Sequence, residues 1–120
     1  MRREKMRMWQ AAEALMAEVD GLIPRVRAGA PNATGHLERS CESALFNTAE
    51  GIGAFPPMIK INAYEIAKKE ANEARAILRR LVIKRLLTQA DIDRPYALAG
   101  ALIAMLTSAI LALKARPKTR

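Results

Sequence analysis

The sequence is poor in the residues that carry specialised chemistry. With a single cysteine, Cys41, no disulfide can close within the chain, and the residue falls at an apolar helical position that suits a core thiol in a reducing compartment. The single histidine, His36, has no second His or Cys at ligand spacing, so no metal site is expected. No glycine-rich phosphate loop and no nucleophile motif is present, and neither an enzymatic activity nor a cofactor is expected. Aromatic residues make up 4% of the chain, too few for a base-stacking platform or a ring-filled sheet core.

Hydrophobic residues nevertheless reach 51%, so the interior must be built from Ala, Leu, Ile and Met, which favours helices. No repeat, linker or low-complexity tract divides the 120 residues, a length that fits one domain. The opening stretch is basic but carries Glu13, Glu18 and Asp20 where a secretory signal needs an uncharged run, so a cytoplasmic location is expected. In that compartment the sequon at Asn32, Ala33 and Thr34 has no meaning. Twenty basic against twelve acidic residues leave a net charge of +8, which attracts polyanions, nucleic acid above all. The plainer reading is a basic soluble protein without a site.

Four helical segments follow from periodicity. Met8, Ala12, Leu15, Val19 and Leu22 recur at steps of three and four over about residues 3–22, and Pro24 predicts a stop or kink near Ile23. The next stretch, about 25–35, reads as a connection, with Asn32 or Thr34 as the cap of the second helix. That second helix sets Leu37, Cys41, Ala44, Thr48 and Ile52 on a core face. Ser40, Ser43, Asn47 and Glu50 form a polar stripe beside it, one turn beyond His36. Gly51, Gly53, Pro56 and Pro57 predict its end. A third helix is expected over about 58–87, uninterrupted by Gly or Pro, with a seam of Tyr64, Ala67, Ala71, Ala74, Leu78 and Leu81.

The last helix begins either at Thr88 with Asp91 or at Asp93 before Pro95. Residues 95–113 then carry no charge, nineteen in a row, long enough to cross a bilayer. Six of them are alanine, with Gly100, Thr107 and Ser108 besides, so a central bundle helix is the preferred reading. Gly100, Ala104 and Ser108 form a small-residue ridge, and a helix apolar on several sides predicts a contact with further copies of the chain. The expected fold is therefore all-α, an antiparallel up-down four-helix bundle.

The order Ser40, Ser43, Asn47, Ala49-Glu50-Gly51, followed by Ile66-Ala67-Lys68 and Glu73, resembles the four helix bundle protein family. Many of its members are encoded by intervening sequences in bacterial 23S ribosomal RNA genes. The chain departs from the family pattern at Lys69 and Glu70, where many members carry Gly-Ser, and at Ile61, where an aromatic is usual. The resemblance covers roughly Leu37 to the last helix. It implies a ring-shaped homo-oligomer, a pentamer being favoured, with nucleic-acid binding and no enzymatic activity. A related group serves as the accessory protein of diversity-generating retroelements, which implies a reverse transcriptase as one candidate partner.

The residues expected to contact RNA or DNA are Lys68, Arg75, Arg79, Arg80, Lys84 and Arg85 of the third helix, through backbone phosphates and with little dependence on sequence. The basic segments at Arg2, Arg3, Lys5 and Arg7 and at residues 114–120 are expected to help. Ser40, Ser43, Asn47 and Glu50 are expected to hold the second helix to its neighbours rather than perform chemistry, since Glu50 has no partner acid or His at a defined spacing. The alternatives are a protein-interaction scaffold without nucleic-acid affinity and a small membrane-associated helical protein.

Overall fold

The structure, a computed structural model, describes residues 2–117. Lys118, Thr119 and Arg120 of the basic tail lie outside the described residues. Four helices, α1 (Arg3–Val26), α2 (Pro31–Gly53), α3 (Pro57–Ile83) and α4 (Gln89–Lys114), account for nearly all of the described chain, with no strand. Each packs antiparallel on the next and α4 returns to α1, closing an up-down bundle with extents of 55 × 23 × 20 Å. One end gathers the chain termini and the α2–α3 turn; the other gathers the α1–α2 and α3–α4 turns.

The core follows the apolar periodicities. Leu15 and Val19 of α1, Leu37, Cys41 and Ala44 of α2, Ala67, Ala71, Ala74, Leu78 and Leu81 of α3, and Ile92, Leu102 and Leu106 of α4 are all fully buried. Alanines in the middle of α3 bring its neighbours close, where larger side chains would force the helices apart. Burial, with lesser contributions from Asp20 and Glu42, pushes the Cys41 thiol up to about 12, the behaviour of an inert core residue.

Several boundaries differ from expectation. Pro24 does not stop α1, which continues to Val26. Its missing N–H frees the carbonyl of Asp20, which is exposed and open to water. The connection shrinks to a short turn because Pro31, not Asn32 or Thr34, opens α2: it occupies the first helical position, where its fixed φ is favourable and its missing N–H costs nothing. The third helix ends at Ile83 rather than near Leu87, with Arg85 at φ 63°. There the N–H of Leu86 reaches back to the Leu81 carbonyl at 3.1 Å and that of Arg85 to Val82 at 2.9 Å, a Schellman ending built on an arginine where glycine is usual.

Between the two proposed starts of α4, the structure selects Thr88. Its Oγ1 accepts from the Asp91 N–H at 3.1 Å while the Asp91 carboxylate accepts from the Thr88 N–H at 2.8 Å, a closed capping box, and Pro95 lies inside the helix. By length and composition α4 could cross a membrane, and only 28% of its most apolar stretch is buried in the bundle. Its outer face presents Ala97, Ala101, Ala104, Ser108 and Leu111 to solvent, a stripe without charge between Arg94 and Lys114.

Candidate functional site

The six cations assigned from sequence to one patch do not act together. Arg75 is half-buried: its guanidinium lies over the Tyr96 ring, 4.2 Å from the centroid, and packs beside Gly100, with Nε fully enclosed. It ties α3 to α4 and is not presented to a ligand. Arg79 is exposed but donates from Nη1 to Gln89 Oε1 at 2.8 Å, across the α3–α4 turn. Lys68 is half-buried and sits about 16 Å along the helix axis from Arg79. Arg80, Lys84 and Arg85 remain, exposed at the end of α3 and without a hydrogen bond or carboxylate partner for their side chains among the described residues.

Three other arginines around this end are answered by acids, while Arg39 of α2 is exposed and has no partner among the described residues. Arg25 grips Asp91 with two bonds of 3.0 Å, Arg27 bonds Glu38 at 2.8 Å, and Arg94 bonds Glu18 at 3.1 Å. Hydrogen bonding from Arg25, then from the Thr88 backbone, lowers the Asp91 carboxyl to about 2. The turn of α3 into α4 therefore projects the unpaired trio while its surroundings neutralise themselves. Nothing in the sequence separates these classes, because pairing partners lie as far as 76 positions apart.

The polar stripe of α2 is divided as well. His36, Ser40 and Ser43 face Glu70 and Glu73 of α3 across a cleft, with His36 Nε2 3.4 Å from Glu73 Oε2. A hydrogen bond shared with Glu70, then His36, holds the Glu73 carboxyl below its ordinary range. Ser40 is buried and its Oγ makes no hydrogen bond; it has no bond to His36, so no activated nucleophile is formed. Asn47 donates to the Ser43 carbonyl at 2.9 Å and to Ser43 Oγ at 3.2 Å, bonds within its own helix. Glu50 is exposed and makes no side-chain hydrogen bond among the described residues. The expectation that Asn47 and Glu50 hold α2 to its neighbours is thus corrected: the first bonds locally and the second is free in solvent.

Two residues outside the expected set hold the end of α2. Lys60 of α3, 8% exposed, donates from Nζ to the carbonyls of Gly51 at 2.7 Å and Ile52 at 3.1 Å, satisfying two of the helix's last acceptors. Gly51 does not stop α2; a Cβ there would run into the Tyr64 ring, so glycine is what lets the ring pack against the helix. The Ala49-Glu50-Gly51 pattern marked the position, but only the α2–α3 packing shows its cause. On α4, Gly100 faces Arg75 inside the bundle, whereas Ala104 and Ser108 are exposed, so the small-residue ridge divides between an internal contact and an outer surface.

Residues 4–108 match the family model described as 23S rRNA-intervening sequence protein. The chain belongs to that family. A crystal structure from the S23 ribosomal protein family, a protein of unknown function from Bacteroides thetaiotaomicron, superposes with a TM-score of 0.83 at 20% identity, covering 90% of this chain and 98% of that one. At that identity the likeness speaks for the fold, and it confirms the four-helix architecture. No curated protein matches the chain. Neither description names a catalysed reaction, and membership in the 23S rRNA-intervening sequence family carries no established function with it.

Proposed function

We propose that this member of the family is a non-enzymatic, basic homo-oligomer that binds structured RNA or DNA through backbone phosphates. The observation that carries the reading is the unpaired trio Arg80, Lys84 and Arg85, grouped at one helix end in a chain of net charge +8. Arginine offers bidentate bonds to phosphate, and the absence of an aromatic platform beside the trio suits recognition of backbone and shape rather than bases. Assembly through the uncharged α4 stripe, at Ala104 and Ser108 but not at Gly100, would repeat the trio and strengthen weak contacts by avidity. A pentamer is the assembly favoured by family resemblance, and a reverse-transcribing or RNA-processing enzyme in the cytoplasm is the kind of partner such an accessory would serve.

The test is a titration of fluorescent duplex DNA and structured RNA across a salt series, with light scattering on the free protein and the complex. Affinity should fall with the logarithm of salt, at a slope of about −0.9 per phosphate contact on duplex DNA, and vary little with sequence. Ala104→Arg should dissociate the oligomer. Absence of binding at low salt leaves a protein scaffold, a detergent-free monomer contradicts assembly, and recovery from membranes alone makes α4 a bilayer segment.

A further inference from the structure

At the opposite end of the bundle a groove of about 570 Å³ opens between the start of α1 and the end of α4 and reaches Lys60 and Tyr64 of α3. Its volume lies within the range of small-molecule sites. The lining is apolar along its length, from Met8, Tyr64, Met105, Ala109 and Leu113, and small residues on α4 keep it open. Around it stand five cations, Arg2, Lys5, Arg7, Lys60 and Arg116, against one carboxylate, Glu4, which forms no ion pair among the described residues.

The cations crowd one another. Lys60 spends two of its three donors on the α2 carbonyls and keeps one free. Burial, then the neighbouring Lys5 ammonium and Arg116, lowers its pKa below the ordinary lysine value. Like charge gathered at an apolar groove suits a ligand that answers both parts, a negative head on a hydrocarbon tail.

We infer that this groove binds an anionic amphiphile, its carboxylate or phosphate head among Lys5, Lys60 and Arg116 and its single chain along Met8, Met105 and Leu113. A nucleic-acid backbone would answer the cations but leave the apolar lining bare. At the charged end of the groove a second copy of the chain would oppose one positive cluster to another, and Ala104 and Ser108, where assembly is proposed, line its other end. The inference is independent of nucleic-acid binding, which is assigned to the other end of the bundle. Two sources of the same chemistry exist: a free amphiphile, or an anionic lipid offered by a bilayer, against which the exposed Phe55, Met58 and Ile59 of the same end would lie.

The experiment is calorimetric titration of the full chain with decyl phosphate below its micelle concentration, with decanol and inorganic phosphate in parallel. Decyl phosphate should bind about tenfold or more tighter than either control, because each control supplies half of the recognition. Lys5→Gln with Arg116→Gln should weaken it about tenfold while leaving the melting temperature in place. Ala112→Trp, at an exposed position on the groove, should reduce decyl phosphate to the level of inorganic phosphate. Vesicles containing phosphatidylglycerol identify the bilayer source if they sediment the protein and compete with decyl phosphate, and the free amphiphile if they do neither. Equal binding of decanol, equal binding of inorganic phosphate, no binding, or a changed subunit number without bound decyl phosphate would each overturn the assignment.

Discussion

Around the α1–α2 and α3–α4 turns, Arg25, Arg27, Arg79 and Arg94 are each held by a carboxylate or amide, while Arg39, Arg80, Lys84 and Arg85 have no such partner among the described residues. Around the chain termini no ion pair forms among the described residues, and the cations encircle an apolar groove. Net charge is blind to this difference. A cation bonded to its own protein has already exchanged water for a fixed partner, so it has little left to offer a phosphate, whereas an unpaired one keeps its full attraction. The two ends thus differ in how many of their cations are already bonded within the protein.

Glycine gives the sharpest mechanical contrast. At the terminal end, Gly51→Ala drives a Cβ into the buried Tyr64 ring and should cost about 2 kcal/mol in denaturant unfolding, the scale of overpacking in a filled core. At the other end, a Cβ on Gly29 would meet the Cδ2 of Leu86 at 2.8 Å, the tip of a half-buried, flexible side chain. Gly29→Ala should therefore change stability by less than about 0.5 kcal/mol. Equal costs at both positions would remove the distinction between rigid and yielding ends.

Arg75→Ala asks whether the stacked arginine is structural. It should lose about 1 kcal/mol through the Tyr96 stack and leave nucleic-acid affinity unchanged; the reverse pattern would return Arg75 to the binding surface. Arg85→Gly separates charge from backbone strain, since glycine accepts the positive φ that arginine tolerates poorly. The variant should gain about 0.5 kcal/mol in unfolding experiments while weakening duplex binding. The smallest effect belongs to acid titration. Asp91 has a folded pKa of about 2 against an ordinary value of 3.8, so its contribution is complete above 3.8 and is lost as pH falls from there through about 2. Asp91→Asn should flatten that part of the stability profile and nothing at neutral pH should titrate with it.

Element identity was legible because the buried positions of all four helices repeat at helical spacing, and Thr88 with Asp91 was one of the two α4 starts the sequence offered. Helix ends were less legible for particular reasons. Pro24 and Gly51 are breakers only when their backbone groups or neighbours demand it, and Arg85 ends α3 without any breaker at all. The functional assignments fared worst where they depended on distant partners. Arg75 and Arg80 are close in sequence and both basic, yet one stacks on Tyr96 and the other stands free, and Lys60 gave no local sign that it caps α2. Such distinctions arise from packing between helices, which periodicity along one helix does not encode.

On the proposed function, free cations rather than total charge carry nucleic-acid binding, and at the turn end these include Arg80, Lys84 and Arg85. Two triple variants with the same net charge test it on duplex DNA across a salt series: Arg80→Ala, Lys84→Ala and Arg85→Gly against Arg25→Ala, Arg27→Ala and Arg94→Ala. The first should flatten the logarithmic salt slope by about 2.7, corresponding to three lost phosphate contacts, and the second should leave the slope near its original value. Equal losses from both variants would contradict the account.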